Sequence, residues 1–242
     1  MALYRDKAVV LRTYKLKEAD RIVVFMTEHH GKVRAVAKGV RKSGSRFGGR
    51  LEPMNHVDVL FSTGRELDII SQVDLVSAAG VFRTDLDRLA QGMSMVEVVD
   101  QLGMDREETP HLYRMLVGAL ETLDKTNSEL VVAAFFLKLL AAEGSRPELE
   151  ACVSCRQPLT DLNGTHYYFN VDSGGLQCRE CIVGRRVSGE AIALMRQILG
   201  GQLAEALNHE SGPAVREVME LATVAMEHHT DRRLRSMRTN VR

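Results

Sequence analysis

The 242-residue chain has no tryptophan, and aromatic residues make up only 5% of it. Recognition by ring stacking therefore has few side chains to draw on. Long apolar runs are also missing. The strongest, Leu130 to Ala142, is interrupted by Lys138 and is too short to cross a bilayer, so no membrane partner is expected. Charge appears within Met1 to Lys7, before any apolar stretch, which argues against a signal peptide and makes the cytoplasm the expected location. No Walker A loop, G-x-S-x-G elbow, H-E-x-x-H pair or dinucleotide fingerprint occurs, so the expectation is a protein that is not an enzyme. What remains, 45% apolar and 26% charged, is an ordinary globular composition with room for one or two domains.

Net charge is absent too, with 32 cations against 32 acids, but the balance is local. Residues 1–80 hold 14 Lys and Arg against 9 acids, a net of +5. Residues 81–150 hold 7 against 13, a net of −6, and residues 151–242 hold 11 against 10, a net of +1. Such asymmetry implies different surfaces for different partners.

The first 80 residues read as five short strands: Tyr4 to Tyr14, Arg21 to Thr27, Lys32 to Val40, His56 to Phe61 and Glu66 to Val76. Turn chemistry separates them at Glu18-Ala19-Asp20, His29-His30-Gly31 and Thr63-Gly64-Arg65. Five strands in so short a span predict a small antiparallel barrel; OB-fold and SH3-like barrels read alike at this level. After Gly80 the apolar period becomes helical. A helix opens near Thr84 or Asp85, a second at Thr109-Pro110, and a third, apolar nearly all round, runs from Ser128 to Glu143 as the expected buried centre. Glu190 to Leu199 and Pro213 to His229 supply two more. The expected division is 1–80 for the barrel and 81–242 for a helical domain.

All four cysteines fall in two C-x2-C pairs, Cys152/Cys155 and Cys178/Cys181, with a hairpin-like segment between them. Two-residue spacing turns both sulfurs of a pair toward one point, and two pairs complete a tetrahedral thiolate shell suited to zinc. Disulfides conflict with a reducing compartment, and a redox C-x-x-C needs one pair beside a βαβ unit. An iron–sulfur cluster is the other metal reading of four thiolates. Four sulfurs leave no open position, so one structural zinc ion is expected, in an element at about 150–185. His166 and the His29-His30 and His228-His229 pairs are expected to be ordinary polar residues, the adjacent rings diverging.

From His29 through Leu51 there is no acid and there are seven cations: Lys32, Arg34, Lys38, Arg41, Lys42, Arg46 and Arg50. Lys32, Arg34 and Lys38 share strand parity and therefore one face. Gly and Ser fill the stretch from Arg41 to Arg50, as in a loop tip. A cationic strand beside a cationic loop suits a phosphate backbone, with salt-sensitive affinity from counterion release. Phe47 is the best-placed ring for base stacking. The C-terminal arginines, Arg232, Arg233, Arg235, Arg238 and Arg242, are read as helix-capping or solvated in preference to an addition to a nucleic-acid surface.

Glu18-Ala19-Asp20-Arg21-Ile22, Thr27, Gly31-Lys32-Val33-Arg34, Ala37-Lys38-Gly39-Val40-Arg41, Ser45 and Leu51-Glu52-Pro53 resemble the N-terminal signature of the bacterial RecO family of recombination mediators. The resemblance implies an α+β protein: an N-terminal five-stranded OB-fold barrel, then an α-helical domain with an embedded four-cysteine zinc-ribbon element. It implies binding to single- and double-stranded DNA and annealing of complementary strands. It also implies partnership with RecR and single-strand-binding protein, and through them the RecA pathway, at the nucleoid in the cytoplasm. By position in the motif, Lys38 and Arg41 would carry DNA contact, with Lys32, Arg34, Lys42, Arg46 and Arg50 beside them. Zinc would brace the fold.

Two other functions compete. In one, the chain is a non-enzymatic zinc-ribbon adaptor whose basic loop docks an acidic protein. In the other it is a hydrolase without a recognised motif. Loss of single-strand affinity with salt favours the mediator, and no DNA binding at low salt favours the adaptor.

Overall fold

The architecture comes from a computed structural model, which describes residues 2–42, 44–45, 47–78, 85–160, 162 and 166–236. Five strands, β1 (Leu3–Leu16), β2 (Asp20–Thr27), β3 (Lys32–Ala37), β4 (His56–Ser62) and β5 (Asp68–Ser77), form a closed barrel in the order β1-β2-β3-β5-β4. All neighbours run antiparallel except β3 and β5, and β4 returns to β1 to close the sheet. This is the five-stranded OB-fold barrel the sequence led us to expect. Closure removes the exposed edges an open sheet of this size would present.

Alternation builds the interior. Val23 and Phe25 of β2, Val33, Ala35 and Ala37 of β3, and Val57, Val59 and Phe61 of β4 point inward and are buried. The Phe25 and Phe61 rings meet edge to face at 5.4 Å. A bulge between Val10 and Arg12 bends β1, and the displaced backbone is satisfied by Val10 N–H to Asn55 O (3.0 Å) and Met54 N–H to Val10 O (2.8 Å).

Helix α1 (Leu86–Leu102) begins where Asp85 caps the amides of Asp87 and Arg88, and α2 (Pro110–Lys125) begins at the predicted proline. Both pack on the barrel. The His56 ring meets the Tyr113 hydroxyl at 2.8 Å, and Gly103 lets Met26 approach where a Cβ would stand 2.4 Å from its terminal methyl. Strand β5 ends at Ser77 and α1 begins at Leu86; the expected boundary at residue 80 lies outside the described residues. The compact units divide later: the described residues up to Asp124, with 234–236, form one, and Lys125–Arg233 form the other.

In the second unit, α3 (Leu130–Ala142) is the buried centre, with Phe135, Phe136 and Leu137 among its enclosed residues. Gly144 follows it at φ +80°. A three-stranded sheet, β6 (Tyr167–Asn170), β7 (Gly175–Gln177) and β8 (Arg185–Val187), orders as β7-β6-β8. Helices α4 (Gly189–Leu199), α5 (Leu203–Leu207) and α6 (Pro213–Thr230) complete the unit. Among the described residues, no helix is long and apolar enough to cross a membrane.

Candidate nucleic-acid interface and metal centre

The Glu18-Ala19-Asp20 turn and the start of the basic loop are stitched together. Asp20 accepts the Gly39 amide at 2.7 Å, Ala19 O accepts the Arg41 amide at 3.0 Å, and Glu18 O accepts the Arg41 guanidinium at 2.8 Å. Gly39 sits at φ +68°, a turn conformation that favours glycine. Lys38, Arg41 and Lys42 are consequently exposed at one end of the barrel. Strand register brings other cations to the same end: Lys15 pairs with Arg21, and Arg21 with Ala37, immediately before Lys38. Lys15 and Arg21 were missed in the sequence because they lie outside the acid-free run, and only the pairing places them beside it; Lys17 follows β1 in the exposed turn.

Lys32 and Arg34 do face outward with the expected parity, but each has a partner from the acidic segment. The Lys32 ammonium, 15% exposed, donates to Asp100 O at 2.8 Å and lies 3.7 Å from the Asp100 carboxylate. Arg34 reaches Asp105 at 2.9 Å. Arg50 is exposed on a short 3-10 turn, Gly48–Leu51. Arg46, Arg238 and Arg242 lie outside the described residues. Phe47 requires a correction: at 1% exposure its ring is part of the barrel core and presents no face for stacking. An apolar ring at the mouth of a small barrel gains more from burial, about 2–3 kcal/mol, than from water.

The His29-His30 pair also departs from expectation. Both rings converge on the wholly buried carboxylate of Asp6, through Nδ1 of His29 at 3.1 Å and Nδ1 of His30 at 2.6 Å, and the His29 amide donates to it at 3.1 Å. The turn between β2 and β3 bends both imidazoles back over β1, which adjacency alone could not reveal. Burial pushes the Asp6 carboxyl up, but hydrogen bonds from His30 and His29 outweigh it and hold it below the usual carboxylate range. The hydrogen bond to Asp6 raises His29. Nearby, Tyr4 donates to buried Asp68, which also accepts from Arg106 at 2.9 Å.

In the second unit the four cysteine sulfurs lie within 4.8 Å of one another, with Cys155 and Cys178 3.7 Å apart. Tetrahedral sulfurs at about 2.3 Å from a central ion stand about 3.8 Å apart, so the donor set fits a metal of zinc's size. The knuckles are shaped by backbone turns: Arg156 N–H to Cys152 O at 2.9 Å and Cys181 N–H to Cys178 O at 3.2 Å. Burial pushes the Cys152 thiol up, but amides of Cys155, Cys178 and Ser154 outweigh it and bring it to about 6. Cys181 is pushed up to about 12, chiefly by its contact with the Cys178 sulfur. Crowded sulfurs resist ionising together unless a cation lies among them. The predicted hairpin is β6–β7, and Arg196 of α4 anchors the segment by donating to Leu159 O at 2.8 Å. His166 contacts Arg186 and lies outside the cluster.

Residues 1–79 match the family model "Recombination protein O N terminal", and residues 83–238 match "Recombination protein O C terminal". The chain is 39% identical to the DNA repair protein RecO of Cutibacterium acnes over 247 aligned positions, covering 98% of each. It is 39% identical to that of Frankia casuarinae, again over 98% of both chains. Against the corresponding Thermobifida fusca protein the identity is 38%, with the same coverage.

Proposed function

The chain belongs to the recombination protein O family of DNA repair proteins, and from that premise we propose that it binds single- and double-stranded DNA through the basic end of its barrel and anneals complementary strands. The observation that carries this reading is the exposed cluster of Lys38, Arg41 and Lys42, joined across the sheet by Lys15 and Arg21. Cations on one rim hold two phosphate backbones and lower their mutual repulsion, while base pairing supplies the sequence reading. No bond is made or broken. Lys32 and Arg34 contribute less than their position in the strand suggests, because Asp100 and Asp105 occupy them. Arg50, exposed on the turn that follows, extends the same basic loop, and Arg46 is assigned to it by its place in the sequence alone.

Helping to load recombinase onto DNA coated by single-strand-binding protein follows from this activity, with RecR as the intermediary. Zinc held by Cys152, Cys155, Cys178 and Cys181 supplies a structural brace, and the four thiolates take no part in DNA contact.

Strand annealing tests the proposal. Wild type should accelerate pairing of complementary oligonucleotides, with affinity falling log-linearly in salt, and the K38E/R41E variant should lose both the acceleration and part of the salt slope. Equal annealing by variant and wild type would remove the assignment. A second reading, an adaptor docking an acidic protein, draws support from the Arg34–Asp105 pair, which is a protein carboxylate already seated on this face. Absence of DNA binding at low salt would favour it.

A further inference from the structure

The end of the barrel away from the basic rim gathers donor atoms of another kind. Strand register fixes the two ends: Arg21 pairs with Ala37 near the rim, and Met26 with Lys32 at the far end. There the turn 28–31 folds back over β1. Asp6 shares the inward parity of Ala8 and Val10, so its carboxylate lies in the barrel mouth. One donor atom each from Asp6, Glu28 and His29 lies within 4.8 Å of the other two. The set is two carboxylates and an imidazole, a mixed shell and not a patch of acids.

The two oxygens of Asp6 have separate tasks. Oδ2 accepts the His29 amide at 3.1 Å and meets Nδ1 of His30 at 2.6 Å, and the His30 ring is itself held 4.5 Å from the Tyr4 ring. Oδ1 faces Nδ1 of His29 at 3.1 Å. Adjacent ligands about 2.2 Å from an octahedral ion stand about 3.1 Å apart, which is the spacing of that pair. Backbone contacts place the third donor. The Glu28 amide donates to Lys7 O at 2.9 Å, the Thr27 amide and hydroxyl both donate to Gly31 O, at 2.9 and 2.8 Å, and the His30 amide donates to the Thr27 hydroxyl at 3.0 Å. The turn is therefore shaped without any help from an ion. Glu28 and Glu108 both add negative charge at the His29 ring, which favours a cation there.

We propose that Asp6, Glu28 and His29 form a second metal site, for a divalent cation of hard to borderline character such as Mn2+, with Asp6 Oδ1, a Glu28 oxygen and His29 Nδ1 as its protein ligands. Two carboxylates favour such an ion over the soft cations that thiolates select, and the imidazole favours it over Ca2+. His29 ligates as a neutral ring, so its Nδ1 proton leaves as the ion enters. Its partners on Oδ2 stay in place and hold the plane of the ligating carboxylate. His29 is 70% exposed, so water completes the shell and the ion exchanges readily. Without Mn2+ the Asp6–His29 hydrogen bond persists as described above, and the cysteine-bound zinc is the firmly held ion. When bound, the cation ties the β2–β3 turn to β1 and closes this mouth of the barrel.

The test uses the full-length, zinc-loaded protein and Mn2+ alone. Loss of the free-ion electron paramagnetic resonance signal reads binding, and nitrogen hyperfine coupling on the bound ion reads imidazole ligation. Wild type should take up a single Mn2+ per chain, show that coupling, and unfold at a higher temperature when the ion is present. His29→Ala should abolish the coupling and weaken binding roughly tenfold or more. Glu28→Gln should weaken binding to a similar extent and keep the coupling. Neither side chain belongs to the core, and unfolding without Mn2+ checks that both variants are folded. The K38E/R41E variant, altered at the other end of the barrel, should bind Mn2+ as wild type does. No saturable uptake by wild type, no nitrogen coupling, or equal affinity in wild type and either of the His29 and Glu28 variants would overturn the site.

Discussion

Asp20, the first residue of β2, accepts a 2.7 Å hydrogen bond from the amide of Gly39, the first glycine after β3. This contact fixes where the basic loop leaves the barrel. Removing the acceptor leaves the amide without its partner, so Asp20→Ala should cost about 1–3 kcal/mol. Annealing should fall with it, because Arg41 loses its fixed root. Asp20→Asn keeps an acceptor oxygen and should restore most of both. Denaturant unfolding and an annealing assay on the two variants decide this.

Phe47 is a core residue here, not a stacking ring. Phe47→Ala should lower stability by about 3–5 kcal/mol, as for other buried aromatic truncations. A stability loss near zero combined with lost single-strand binding would contradict the buried placement.

Gly31 and Gly39 both have positive φ, at +63° and +68°, yet they should respond differently to alanine. A Cβ at Gly31 would stand 1.8 Å from the Glu107 carbonyl oxygen, whereas at Gly39 the nearest atom is Lys42 Cδ at 3.8 Å. Gly39→Ala should therefore cost about 1–2 kcal/mol for the backbone conformation alone. Gly31→Ala should cost clearly more, because it must also displace the segment that follows α1. Midpoint shifts in urea compare the two directly.

The Asp6–His29 pair should make stability depend on pH in two directions. Asp6 is lowered in the folded chain, so its contribution is present above the ordinary aspartate value and is lost as pH falls through its lowered value. His29 is raised, so its contribution is complete below the ordinary histidine value of 6.5 and is lost as pH rises through its raised value. The difference between wild type and Asp6→Asn should therefore be greatest from about pH 4 to about pH 6.5 and shrink on either side. His29 is well exposed, so its share is the smaller. Unfolding curves across pH measure the window.

For the cysteine cluster, metal analysis should return one zinc per chain, with four thiols protected until a chelator is added. Cys152→Ser or Cys178→Ser should abolish binding and destabilise the second unit. Oligonucleotide affinity of the barrel should change by less than twofold.

Much of this was legible in the residues themselves. Alternation at Val33, Ala35 and Ala37 announced β3, Thr109-Pro110 announced α2, and the unbroken apolar face of Val131 to Leu137 announced the buried helix. Each depends on neighbours within a few positions. Phe47 was misplaced because loop composition says nothing about whether a ring folds back into a barrel mouth. His29 and His30 were misread because their common partner, Asp6, lies 23 positions or more away.

The chain alone determined its strands, its helices and the pairing of its cysteines, since hydrophobic period and two-residue knuckle spacing act over short distances. Tertiary structure decided which charges remain available. Lys32 and Arg34 look equivalent to Lys38 along the strand, but α1 and the segment after it bring Asp100 and Asp105 to the first two and leave Lys38 exposed. Electrostatic pairing depends on distance in space, and those carboxylates lie about 70 positions down the chain.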